Sequence, residues 1–204
     1  MRISLRLRLA AWYAALLTLI SILVSVLSYG YHSASHYAEV DRSLATTAIH
    51  VMTDLKGKSE ADLKAGVTIP PAEEYSSPDT YVRVYDAEGD LLVTSSNVGH
   101  QAQTDPRTVL AAGEPQDTGL LSRMMRPLVD AGHPLVSENA GFLTVLSTGG
   151  QGRTRIYALP LVAEGGIQGY LETGSSLDRL DESMNRLALL LTGTTLVGLL
   201  AALL

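Results

Sequence analysis

The sequence predicts an α+β domain held between two membrane-spanning helices, and three observations carry that expectation. An uncharged apolar run lies near each end, Leu9 to Ser28 and Leu187 to Leu204. Between them, segments rich in Val, Tyr, Ile and Thr are separated by Gly-containing reversals, the pattern of an antiparallel sheet. Apolar residues recur every three or four positions from Tyr37, and again from Leu177, which is the spacing of a helix face.

The first run, LAAWYAALLTLISILVSVLS, has 20 residues. At 1.5 Å per residue such a helix covers the roughly 30 Å hydrocarbon core. Arg2, Arg6 and Arg8 precede it and acidic residues follow from Glu39. The positive-inside rule then puts residues 1–8 in the cytoplasm and residues 29–185 outside. Trp12 and Tyr13 sit near one boundary, and Tyr29 and Tyr31 near the other, as interfacial aromatics do. The alternative is a cleaved signal peptide with Ser33-Ala34-Ser35 as its cleavage site. The apolar run exceeds the about 7–15 residues of a signal core, which favours an uncleaved anchor.

Next, His32 to Lys56 reads as a continuing helix. Its stripe is Tyr37, Val40, Leu44, Ala48, Val51 and Leu55, which faces either the sheet or a partner subunit. A short helix is expected at Glu60 to Ala65, with Ser59 as cap and Gly66 as stop. Ile69 to Asp79 reads as a loop. Tyr81 to Asp86 and Leu91 to Ser95 form a hairpin, with Gly89 suited to a positive φ. Asp105-Pro106 opens a short helix that ends before Gly113. Gly119 to Glu138 shows no clear period and is expected to be irregular. Gly141 to Thr148, Arg153 to Val162 and Ile167 to Ser175 complete five mostly antiparallel strands, joined by GGQG (149–152) and AEGG (163–166).

The second helical seam is Leu177, Leu180, Met184, Leu187 and Leu191. It starts in the acidic LDRLDE stretch and runs unbroken into the second span, residues 187–204. Gly174 to Ser176 are the single soft point before it. A stiff connection suits the relay of movement from the sheet into the membrane. The second span stops at its last apolar residue with no basic flank, so the natural protein is expected to continue into the cytoplasm. Ala10 with Ala14, Ala11 with Ala15, Thr194 with Gly198 and Gly198 with Ala202 permit close helix approach.

Charge narrows the function. With Arg2, Arg6, Arg8 and Arg186 set aside, residues 29–185 hold 11 basic side chains and all 21 acidic ones, a net charge of −10. That repels phosphate and argues against nucleic acid as a partner. It suits a solvated outer surface or a cationic ligand. The chain has no cysteine, so disulfides and thiol chemistry are excluded.

Catalytic and metal motifs are sparse. His32 and His36 have the i, i+4 spacing that puts two imidazoles on one face, with Glu39 three residues on. No Cys/His cluster supports them, and no metal is expected. GxSxG, Walker and HExxH patterns are absent, and GGQG reads as a turn; no catalytic residue is expected. A ligand site has more support. Tyr81, Arg83 and Tyr85 alternate onto one strand face, and Arg155 and Tyr157 onto another. If those faces meet, two guanidinium groups suited to carboxylates line one concavity. Otherwise these are solvent-facing strand positions. Met124 and Met125 either close such a pocket or fill core.

The stretches YVRVYDAEGDLLVTSS (81–96) and RIYALPLVAEGGIQGYLETGSSLDRLDESMNRL (155–187), in this layout of spans and helices, resemble the sensor region of bacterial two-component sensor histidine kinases. The outer part resembles their PAS-like (PDC, Cache-related) extracytoplasmic domains. The likeness covers essentially the whole chain in layout, although its motifs are degenerate. It implies a PAS-like five-stranded sheet with small molecules bound on the side away from the long helix. It implies a multi-pass protein of the bacterial inner membrane, a homodimer joined through residues 32–56, and a small-molecule or protein stimulus. Relay would pass through the second span to HAMP and kinase domains, with a response regulator as partner. ATP and Mg²⁺ belong to that kinase domain, and no cofactor is implied for these 204 residues. His32, His36, His50, His100 and His133 all fall in the outer portion, so none is the phosphoacceptor. The same layout serves chemoreceptors, cyclic-dinucleotide enzymes and membrane-anchored interaction domains without signalling output.

Overall fold

The computed structural model describes residues 5–55, 80–96, 103–112, 120–129, 140–146, 152–163 and 166–203. The short helix expected at Glu60 to Ala65, the loop at 69–79, residues 130–138 of the stretch expected to be irregular, and residues 149–151 and 164–165 of the two glycine-rich reversals lie outside these residues.

The first helix, α1 (Leu5–Leu55), runs for 51 residues without a break. At 1.5 Å per residue it is about 75 Å long, far more than one membrane crossing needs. Its lower half is apolar and largely exposed on the side away from the last helix: Trp12 is 77% exposed, Leu17 62% and Val24 59%. Its upper half buries a stripe. The last helix, α4 (Asp178–Leu203), packs beside α1. Each of the two contains a stretch long and apolar enough to cross a membrane.

Between them in sequence lie β1 (Thr80–Asp86), β2 (Leu91–Thr94), α2 (Pro106–Ala112), α3 (Leu120–Val129), β3 (Gly141–Leu146), β4 (Arg153–Ala163) and β5 (Gly166–Ser176). The strands form one sheet in the order β2-β1-β5-β4-β3, antiparallel throughout. The α+β class and the five strands agree with the sequence reading. Gly89, in the β1–β2 turn, has φ +93°, where a side chain would strain the backbone.

Strand alternation gives the sheet two faces. On one, Leu44, Ala45, Ala48 and Val51 of α1 pack on Val82, Val84, Tyr157, Leu159 and Leu171. The stripe on the upper half of α1 therefore faces its own sheet, with Val40 and Leu55 at the margins. On the other face α2 places Val109 against Ile156 and Ala158.

One expectation is corrected. Residues 120–129 are helical rather than irregular. Leu120/Leu121, Met124/Met125 and Leu128/Val129 recur as pairs every four residues, the spacing of one apolar helix face, which Pro127 obscures in a linear reading. Pro127 falls two residues before the end, where the lost amide costs only the final turn. This helix packs along α1, with Leu121 against Gly30. Met124 is 65% exposed, so it neither fills core nor closes a pocket.

Candidate functional site

The strand β1 carries Tyr81, Arg83 and Tyr85 on the sheet face away from α1. Antiparallel pairing sets them opposite Gly174, Glu172 and Tyr170 of β5. The pairing builds a charged cluster inside the domain. Arg83 Nη1 donates to Glu172 Oε1 at 3.2 Å, and Tyr85 Oη donates to Glu172 Oε2 at 2.9 Å. The Tyr85 hydroxyl also lies 3.4 Å from the carbonyl of Thr104, which approaches from the segment before α2. The Arg83 guanidinium stands 4.8 Å from the centre of the Tyr81 ring, a cation–π distance.

All four side chains are shut away from water: Glu172 is 0% exposed, Tyr85 1%, Tyr81 2% and Arg83 4%. Burial pushes the Glu172 carboxyl above its ordinary range, and Arg83 opposes that push. Burial also raises both phenols, with the Glu172 charge adding to it, so Tyr81 and Tyr85 stay protonated. The Tyr81 hydroxyl is buried and has no partner in full hydrogen-bond geometry among the described residues, although it lies close enough to Glu172 for the two to influence each other's protonation. Its ring lies on Gly174, where a Cβ would come within 2.3 Å of it. Glycine at 174 is therefore what admits the ring.

Arg155 and Tyr157 do not join this cluster. They pair with Ser175 and Thr173, one step out of phase with Glu172, and so point at α1. Arg155 donates Nε to Asp41 Oδ1 at 2.7 Å and Nη2 to Asp41 Oδ2 at 3.0 Å, with Nη1 on Thr144 Oγ1 at 2.8 Å. Tyr157 packs on Phe142 at 4.7 Å between ring centres. The two strand faces that could have met lie on opposite sides of the sheet. The set Tyr81, Arg83, Tyr85 comes together; Arg155 and Tyr157 instead fasten the sheet to α1.

The junction between β5 and α4 is tight. Only Leu177 separates the last strand residue, Ser176, from the first helical one, Asp178. The Leu177 amide donates to the Arg153 carbonyl at 2.7 Å, and the Asp178 amide to Ser176 Oγ at 3.2 Å. Arg153 Nε donates to Asp181 Oδ2 at 3.0 Å, and its Nη2 meets Asp181 Oδ1. The Asp181 hydrogen bonds hold the guanidinium protonated, raising its pKa. Ser175 and Ser176 are strand, not a soft point.

Beyond this clamp the seam faces α1: Leu177, Leu180 and Met184 are buried with Tyr37, and Leu187 packs alongside with Tyr29 and Val40. Further on, Leu191 helps line an apolar groove of about 500 Å³ between the lower halves of α1 and α4, together with Ser25 and Ala188.

Glu172, Asp41 and Asp181 were missed by sequence reasoning. Asp41 had a signal: it interrupts the apolar face of α1 between Tyr37 and Leu44, where a charge needs a partner. His32 and His36 contact each other, Nε2 to Nε2 at 3.1 Å. Among the described residues no group of three His, Cys, Asp or Glu could hold a metal ion.

No known family model matches this sequence, and no curated protein is detectably similar to it.

Proposed function

We propose that this chain senses a stimulus outside a membrane and relays it through α4, as the sensor region of a sensor histidine kinase would. The observation that carries the reading is the continuity of β5 with α4. Glu172 sits in the buried charged cluster, and five residues later Leu177 begins the seam that runs beside α1 into an apolar helix. A change in the cluster has no flexible linker in which to dissipate before it reaches α4. In this reading residues 29–185 lie outside and residues 1–8 in the cytoplasm of a bacterial inner membrane. Two copies associate along α1, and HAMP and kinase domains beyond residue 204 use ATP and Mg²⁺ to act on a response regulator. The stimulus acts by favouring one of two arrangements of α4, and a preference of about 1–3 kcal/mol suffices.

The cysteine-free chain allows a direct test. Cysteines placed at Ser25 and Ala188 face the groove between the two apolar helices. Their disulfide formation rate in lipid nanodiscs reads the approach of α4 to α1. Glu172→Gln, which perturbs only the cluster, is expected to change that rate. Two glycines inserted after Ser176 are expected to abolish the change. An unaltered rate in Glu172→Gln, or an undiminished response in the insertion variant, rules the relay out.

A further inference from the structure

A second cavity lies where the relay helix leaves the sheet. It is a crevice of about 460 Å³ between α1, α4 and the ends of β1 and β5. That volume falls within the range of small-molecule sites, about 300–1,000 Å³. His36, Glu39 and Ser43 supply the α1 wall at helical steps of three and four, and Arg179 and Ser183 supply the α4 wall. Thr80 and Ser175, which pair across β1 and β5, form the floor.

The chemistry of the walls is unlike that of the groove in the membrane-spanning part. One carboxylate, Glu39, comes from α1, exposed and with His36 Nδ1 at 3.8 Å from it, and one guanidinium, Arg179, which also engages a neighbour within the protein, comes from α4. Hydroxyls lie around them, and Val40 with Leu180 adds a short apolar strip. A lone anion would find Arg179 but face Glu39, and a lone cation would meet the reverse. A small molecule carrying both charges matches both walls at once. Guanidinium favours a carboxylate, held through paired N–H groups. The strip consists of two side chains, which suits a small branched aliphatic group.

We propose that this crevice binds a small zwitterion of the aliphatic amino-acid type, with its carboxylate toward Arg179, its ammonium toward Glu39 and its side chain on Val40 and Leu180. Such a ligand bridges α1 and the first turn of α4, the turn that also carries the clamp residue Asp181. Binding follows from the walls alone; its consequence for signalling rests on the relay reading above.

The test is calorimetry on the full chain in detergent micelles with L-valine, 3-methylbutanoate and isobutylamine, which are the zwitterion and its two half-charged analogues. L-Valine is expected to bind saturably, and each analogue at least about tenfold more weakly. Arg179→Gln should weaken valine by about tenfold or more and leave isobutylamine bound as well as before or better. Glu39→Gln should weaken valine and leave 3-methylbutanoate bound as well as before or better. Ser183→Phe, on the exposed lip, should block all three. No saturable heat with valine, equal affinity for the analogues, or indifference to both charge substitutions overturns the proposal. The Ser25/Ala188 disulfide rate separates the two ideas. Valine binding without a change in rate retains the site and ends its signalling role. A rate that answers to Glu172→Gln without any valine binding retains the relay and ends the site.

Discussion

Arg155 of β4 grips Asp41 of α1 through two hydrogen bonds, at 2.7 and 3.0 Å, in an interface where both side chains are almost fully buried. A buried pair is expensive to desolvate, and its value shows when one partner is removed. Arg155→Met takes both of these hydrogen bonds away from the buried Asp41 carboxylate. The expected loss is about 3–5 kcal/mol of unfolding free energy, read from urea denaturation in micelles. Asp41→Leu combined with Arg155→Met should recover most of it. A double variant as unstable as the single one contradicts this account.

The two tyrosines of the outer-face cluster should respond oppositely to loss of their hydroxyls. Tyr85 donates to Glu172 at 2.9 Å, so Tyr85→Phe removes a hydrogen bond to a charged group, worth about 1.5–3 kcal/mol. The Tyr81 hydroxyl is buried without a partner in full hydrogen-bond geometry among the described residues, so Tyr81→Phe should be neutral or stabilising. Equal destabilisation by both, measured by urea midpoint, would show that Tyr81 has a partner.

Glu172 gives the cluster a pH signature. Its carboxyl titrates higher in the folded chain than in the unfolded one because burial disfavours its charge. Between the ordinary carboxylate range and that raised value the folded state binds more protons than the unfolded state. Stability contributed by Glu172 is therefore greatest at low pH and falls as pH rises through that window. Glu172→Gln removes the titration. The stability of the native chain minus that of Glu172→Gln should decline with rising pH above about 4.5 and then level off. A difference that grows with pH would mean that Arg83 outweighs burial.

What could be read in advance follows a physical division. Strands β4 and β5 were legible almost to their ends, because Arg153 to Val162 and Ile167 to Ser175 are dense in strand-forming residues between glycines. The alternation within β1 was equally legible, so Tyr81, Arg83 and Tyr85 were correctly grouped. Which sheet face each group takes is set by register between distant segments. Pairing of Arg83 with Glu172 and of Tyr157 with Thr173 puts the two groups on opposite sides, and nothing local in either strand encodes that. Helix α3 was missed for a different reason: its apolar pairs do recur every four residues, but Pro127 among them argues against a helix when the segment is read by itself.

Gly174 is held by packing rather than by backbone geometry. A methyl group there would meet the Tyr81 ring at 2.3 to 2.5 Å. The ring is buried, with the Arg83 guanidinium 4.8 Å from its centre, so a shift of the ring disturbs that contact. Gly174→Ala should cost about 1–3 kcal/mol, as overpacking does. Combining it with Tyr81→Ala should relieve the clash, which a double-mutant cycle on thermal denaturation would record as strong coupling. Additive effects would mean that the ring turns aside freely.

The clamp between Arg153 and Asp181 bears on the relay itself. It fastens the first turn of α4 to the start of β4, beside the backbone bond from Leu177 to Arg153. The pair is about a third exposed, so its effect on global stability is small after solvent screening. Its effect on local opening is another matter, because the first turn of a helix has few other restraints. Asp181→Asn should speed amide hydrogen exchange several-fold at residues 181–184, while exchange in the β4–β5 ladder near Leu159 and Leu171 stays unchanged. It should also blunt the response of the Ser25/Ala188 disulfide rate to Glu172→Gln, since a frayed first turn transmits less displacement. Faster exchange with an intact response would mean that Leu177, Leu180 and Met184, packed on Tyr37, carry the coupling without the clamp. Unchanged exchange would mean that the ion pair does not restrain the junction at all.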